Sequence, residues 1–179
     1  MKITLCGKGG SGKSTIAKSL AKEFNLKHYS TGDLMRKIAL EKGYTIENWS
    51  HVTPKEIDNM VDEWVKKIGE TEDNFIFDSR LAFHFIPDSI KIFLDVSYEE
   101  AARRVFSDQR KSEAKAKTVE ELAERNRIRW KTDGERYKDI YGINIDDKNN
   151  YDSYIDTTSK TKDEVLTEIK RIIGTLQKS

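Results

Sequence analysis

A chain of 179 residues can bury one sizeable core, and a single domain over 1–179 is expected. Its 32 basic and 31 acidic residues nearly cancel to +1, which excludes bulk electrostatic capture of nucleic acid or of an anionic membrane surface. One cysteine, Cys6, excludes an internal disulfide and a cysteine-based zinc site, and no apolar run reaches the ~20 residues that span a bilayer.

Residues 2–6 form a short apolar run, expected as a buried strand with Cys6 as a packing residue. The N-terminus enters this strand at once, leaving no room for a signal peptide, so a cytoplasmic protein is expected. An amphipathic helix follows over 13–24, and a second strand over 26–30. The segment 32–43 reads as a helix ended by Gly43. A longer helix over 53–69 opens with Thr53 as cap, Pro54 at its first position and Glu56 three residues after the cap. Ile57, Val61, Trp64, Val65 and Ile68 recur in it at helical spacing.

Two nearly continuous apolar runs, 74–78 and 90–96, are further strands. From 97 to 141 the chain is helical and highly charged, 151–157 is a last strand, and Thr161 with Glu164 caps a final helix. Continuous apolar strands alternating with helices indicate an α/β fold of about five parallel strands flanked by helices, with helical excursions at 31–69 and 107–141.

Between the first strand and the first helix stands GKGGSGKST, residues 7–15, which satisfies G-x-x-x-x-G-K-[ST]. Gly7, Lys8, Gly9, Gly10, Ser11 and Gly12 allow consecutive backbone N–H groups to turn inward as an anion-binding nest. The helix beginning near Lys13 adds its positive end. Lys13 is placed to reach the β- and γ-phosphates of ATP, Ser14 to ligate Mg²⁺, and Thr15 to contact the α-phosphate. Asp78 closes an apolar strand at the carboxyl edge of the sheet, where it can hold Mg²⁺ through water or cap the next turn.

A phosphotransferase acting on a second small anion needs a second phosphate site. Arg36, one turn into a helix, and Arg80, two residues beyond Asp78, are candidates, because a guanidinium grips phosphate bidentately. Arg110, Arg125, Arg129 and Arg136 lie in the charged helical region. On a continuous helix Arg125, Arg129 and Arg136 fall within ~40° of one another. Such a stripe meets an anion, or it is neutralised by Glu121 and Asp133 at i,i+4 spacing, and Gly134 is a point where the helix could break.

These segments together resemble the cytidylate kinase family, its short archaeal-type branch, among the P-loop nucleoside monophosphate kinases. The likeness rests on the P-loop, STGDLMR (30–36), DSRL (78–81), the arginine-rich region and RYKDIYGINIDD (136–147) followed by Tyr151 and Asp152, and it covers nearly the whole chain. It implies a P-loop NTPase fold with a short acceptor-binding excursion (31–69) and a helical lid (107–141). It implies Thr31, Gly32, Arg36 and Arg80 around the acceptor phosphate, Arg129 and Arg136 clamping the transferring group, and Arg110 near the donor nucleotide. The implied activity is Mg²⁺- and ATP-dependent phosphorylation of CMP or dCMP by a cytoplasmic monomer. Ser79 stands where the family usually has Gly. STGDLMR is also close to the acceptor motif of adenylate kinases, whose DGFPR hallmark is absent here, so AMP is the runner-up acceptor. A nucleotide-dependent switch that has lost phosphotransfer is the alternative from another class.

His28, His51 and His84 show no metal-ligand spacing, and Trp49, Trp64 and Trp130 are expected to be packing residues. Asp58 and Asp62, one turn apart, either read a cytosine amino group or a ribose hydroxyl, or stand as solvated carboxylates, the reading preferred here.

Overall fold

The computed structural model describes residues 1–41, 43, 55–106 and 116–177. Five strands, β1 (Lys2–Gly7), β2 (Lys27–Ser30), β3 (Phe75–Asp78), β4 (Ile90–Asp95) and β5 (Ser153–Asp156), pair in parallel in the order β2-β3-β1-β4-β5. The helices are α1 (Lys13–Glu23), α2 (Thr31–Glu41), α3 (Lys55–Thr71), the short α4 (Ala82–Phe85), α5 (Tyr98–Phe106), α6 (Val119–Tyr141) and α7 (Lys162–Leu176). The expected strands and helices are present with ends shifted by one or two residues, except that the charged region 97–141 holds two helices, α5 and α6, and its residues 107–115 lie outside those described. The single turn α4 and a 3₁₀ turn at Lys148–Asn150 were not expected, being too short to carry a periodic signal.

Strand alternation distributes the core between two faces of the sheet. Ile3, Leu5, Ile76, Ile92, Leu94 and Ile155 face α1 and α7, packing on Ile16, Leu20, Ile169 and Ile173. Their neighbours in the strands face the other way. Phe75 and Phe77 pack on Val61, Val65 and Ile68 of α3, while Cys6 and Phe93 meet Trp130 of α6 and Tyr151. Both faces are thus covered, which is why the strands read as continuous apolar runs. Cys6 is buried, as expected. Trp130 is buried, and Trp64 is partly buried, 5.2 Å edge-on from Phe77; Trp49 and His51 lie outside the described residues.

The strand order reverses at β1, which has β3 on one side and β4 on the other. Ligands of open α/β sheets bind outside the carboxyl ends of the strands at such a switch point. The GKGGSGKST turn leaves β1 there, and the in-register pairs Leu5 with Asp78 and Ser30 with Asp78 bring the ends of β2 and β3 alongside it.

The cap signals divide by where they fall. Thr161 and Glu164 form a full capping box on α7, and Gly43 takes φ 76 just past α2. Of the expected cap of α3, Thr53 and Pro54 lie outside the described residues. Gly134 does not break α6, which runs unbroken from Val119 to Tyr141 and packs this glycine toward Ile145. Among the described residues no helix is long and apolar enough to cross a membrane.

Candidate active site

Three glycines of the turn are required by geometry. Gly7 has φ 138, and a Cβ there would lie 2.0 Å from the Leu94 carbonyl oxygen. Gly10 has φ 80 and would drive a Cβ to 2.8 Å from Ala101. Gly12, at φ 90, is the N-cap of α1 without a side-chain cap, leaving the first N–H groups of the helix for a ligand. Lys13 folds back over this turn, donating to the Lys8 carbonyl at 2.7 Å. Burial pulls its ammonium from the ordinary 10.5 down to about 8, with Asp78 opposing the shift and Arg80 adding to it.

Gly7 and Lys8 do not line the resulting cleft. Gly7 packs on β4, and the Lys8 side chain turns to Asp95 at 2.7 Å beneath the Tyr98 ring. Their part is to shape the loop, while Gly9, Gly10, Ser11, Gly12, Lys13, Ser14 and Thr15 line a cleft of ≈ 600 Å³. Ser14 Oγ donates to Asp78 Oδ2 at 2.5 Å. This hydroxyl and carboxylate, both oxygen donors at the head of the loop, fit a hard divalent cation.

The far wall of the cleft holds residues that the sequence did not single out. Arg104 donates to the Thr157 carbonyl at 2.7 Å and pairs with Glu100 at 3.0 Å. Thr157 lines the cleft after β5, together with Asn126 and Lys160. Arg104 carried no usable signal in sequence, because it sits in a helix dense in charge and belongs to no motif. Arg110 lies outside the described residues.

A second cavity of ≈ 120 Å³ opens beside the first. Thr31, Gly32, Arg36, Ser79, Arg80 and Arg129 line both. Arg80 Nη1 pairs with Asp133 Oδ2 at 3.1 Å, Arg136 Nη1 with Asp58 Oδ2 at 2.8 Å, and Arg136 also meets Asp133 at 3.6 Å. Arg36 pairs with Asp33. One sequence reading is corrected here, and one left open is resolved in part. Asp58 and Asp62 are not solvated carboxylates but line the cavity, and Tyr141 donates to Asp62 Oδ2 at 2.5 Å. The arginine stripe divides: Arg129 and Arg136 reach the cavity, while Arg125 pairs with Glu121 at 2.6 Å outside it. Asp133 reaches across to Arg80 on a different segment, a contact that helix spacing could not reveal.

Ser79 keeps its place in a tight turn after β3. Its N–H donates to the Leu5 carbonyl at 3.1 Å, and its Oγ accepts from the Leu81 N–H at 3.2 Å. The hydroxyl is thereby folded onto its own turn, so the larger side chain is held without filling the cavity.

Arginines from three separate segments, one after β2, one after β3 and two on α6, meet at a cavity that joins the glycine-loop cleft. Comparison with known proteins gives this arrangement a family. A cytidylate kinase from Archaeoglobus fulgidus is 35% identical over 166 residues, covering 89% of this chain and 87% of that one. This chain belongs to the cytidylate kinase family. A family model described as an AAA domain matches residues 6–123, the part that holds the glycine loop. An S-adenosylmethionine-dependent nucleotide dehydratase from Lacinutrix mariniflava is 34% identical over 168 residues, but the chain spans only 34% of its length. Among solved structures, shikimate kinase from Acinetobacter baumannii superimposes with a TM-score of 0.64 at 15% identity, covering 97% of this chain and 93% of that one, and shares the fold. Membership of the cytidylate kinase family, together with this fold, places the chain among the P-loop phosphotransferases.

Proposed function

We propose that the chain transfers the γ-phosphoryl group of ATP to a pyrimidine nucleoside monophosphate, with CMP or dCMP favoured, forming the diphosphate. The observation that carries this reading is the wall shared by the two cavities: Arg36, Arg80 and Arg129 border both. A nucleotide switch needs the glycine loop and Asp78, but it has no use for a second arginine-lined cavity joined to the first. The name of the Archaeoglobus relative supports cytosine as the acceptor base.

In this mechanism the loop N–H groups and the N-terminus of α1 hold the donor polyphosphate, with Lys13 at its reacting end. Arg36 and Arg80 hold the acceptor phosphate, whose oxygen attacks the γ-phosphorus in line. Arg129 and Arg136 stabilise the charge on the transferring group, and α6 closes the site against water. No side chain becomes covalently attached, and a phosphate acceptor needs no strong base. Ser14 and Asp78 would hold Mg²⁺, which when bound supplies charge neutralisation at the phosphates.

The test is ATP-dependent diphosphate formation with CMP, dCMP, UMP, AMP and GMP offered separately. CMP or dCMP should be turned over best. AMP as the best acceptor would overturn the pyrimidine assignment, and ATP binding without any turnover would replace the kinase by a switch.

The lowered Lys13 ammonium supplies a second check. A bound polyphosphate favours the charged lysine, so at about pH 9 ATP binding should take up a proton, and at about pH 6.5 Lys13 should contribute none. Calorimetric heats measured in buffers of different ionisation enthalpy read this directly. No difference between wild type and Lys13→Ala at the higher pH would place Lys13 away from the phosphates.

A further inference from the structure

Lys8 stands inside the glycine loop without lining the cleft, yet its side chain is held on two sides. Its ammonium pairs with Asp95 Oδ1 at 2.7 Å and lies over the Tyr98 ring, 4.8 Å from the ring centre. Both anchors are themselves fixed. Asp95 ends β4, and it accepts from the Val96 N–H at 2.8 Å through Oδ1 and from the Tyr154 hydroxyl at 2.6 Å through Oδ2. Tyr154 in turn stacks on Phe93, with ring centres 4.7 Å apart. Tyr98 opens α5 and packs on the cluster that holds Ala102 of α5 with Leu122 and Ala123 of α6. The backbone of the same lysine serves the loop: its carbonyl accepts from Lys13 Nζ at 2.7 Å and from the Ser11 N–H at 3.3 Å. Glycines at 7, 9, 10 and 12 surround it, and glycine loses more conformational freedom on ordering than any other residue.

We propose that Lys8 is a positioning residue for the donor site: its tether to Asp95 and Tyr98 fixes the Lys8 carbonyl, and through it the Lys13 ammonium and the turn of the loop, before ATP arrives. This assignment rests on the reading of the loop as the ATP site and names what holds that site in shape. A loop with several glycines samples many conformations when untied, and a ligand that must order it loses that entropy from its affinity. Pinning one side chain to the end of β4 and the start of α5 removes part of the cost in advance, as a supporting shell does for a preorganised site. The tether also makes a carboxylate favourable to anion binding, against simple Coulomb expectation. Asp95 is a negative charge close to a loop that receives polyphosphate, and on charge alone its removal would strengthen ATP binding. Removing it also releases Lys8, and with Lys8 the loop. The two effects have opposite signs, so the direction of the change identifies the role.

The experiment measures calorimetric binding of ATP with Mg²⁺, without acceptor, to the full-length wild type, Lys8→Met, Asp95→Asn and the double variant. Methionine keeps a side chain of similar length over the Tyr98 ring and removes only the charge. Lys8→Met and Asp95→Asn should each weaken ATP binding by about tenfold, roughly the cost of ordering one residue's backbone. The double variant should lose no more than either alone, because both substitutions cut the same tether. In steady-state turnover the ATP KM should follow the binding, while the acceptor KM stays within about twofold of wild type. Unchanged or tighter ATP binding in Asp95→Asn overturns the proposal, since a lysine that acts by its charge on phosphate is freed by that substitution. Additive losses in the double variant overturn it as well. So do equal rises in the ATP and acceptor KM values, which would make the pair a general structural brace. The kinase reading fails separately, if wild type binds ATP and turns over no monophosphate; the binding cycle still decides the role of Lys8 in that case.

Discussion

Lys13→Ala should lower ATP-dependent turnover by about a thousandfold or more while leaving the fold intact, since the lost group stabilises charge that develops in transfer. Its apo-protein should be no less stable than wild type. The Lys13 ammonium is held near about 8 chiefly by burial, so at neutral pH the native state carries a charge it disfavours. The folded value lies below the ordinary 10.5, so the unfolded chain binds more protons between the two and wild-type stability gains with pH across that window. Below it the full penalty of burying the charge applies. Thermal unfolding at about pH 7 should therefore show Lys13→Ala equal to wild type or raised by a few degrees, as expected when function and stability conflict at one residue. Full activity in the variant would remove the glycine loop from the chemistry. A large fall in its melting temperature would show that Lys13 holds the loop together through the Lys8 carbonyl instead.

The sheet was readable because parallel strands buried on both faces leave continuous apolar runs, and 74–78 and 90–96 show this plainly. The glycine loop was readable because the backbone demands of Gly7, Gly10 and Gly12 leave little choice of residue. The acceptor cavity was only half legible. Arg36, Arg80, Arg129 and Arg136 could be proposed from motif and spacing, but their partners could not. Asp133 bonds to Arg80 some fifty positions away and Asp58 to Arg136 almost eighty away, so local spacing carries no trace of either pair. Judged as isolated helix residues, Asp58 and Asp62 resemble ordinary solvated carboxylates; only the packing of α6 across α3 makes them cavity walls. Arg104 was missed for the same reason, because its cleft contacts go to the backbone carbonyls of Thr157 and Thr158.

Those long-range pairs set the expected behaviour of Arg80. Arg80→Ala should raise the acceptor KM by about a hundredfold and change the ATP KM little, as the loss of a bidentate charged contact to one substrate predicts. It should also destabilise the protein, because Asp133 is 4% exposed and would lose its nearest cation. Breaking a buried pair from one side costs up to about 3–5 kcal/mol, and less here because Arg136 still meets Asp133 at 3.6 Å. A fall in activity alone would therefore not separate binding from folding. Arg80→Ala combined with Asp133→Asn does so: with both charges gone, stability should return toward wild type while the acceptor KM stays high. Arg80→Lys approaches the question from the other side, keeping a charge for Asp133 but not the planar fork, so it should fold normally and still bind the acceptor at least about tenfold more weakly. Equal effects on the two KM values would move Arg80 to the shared wall as a general electrostatic element. Recovery of the acceptor KM in the double variant would show that Arg80 serves only to neutralise Asp133.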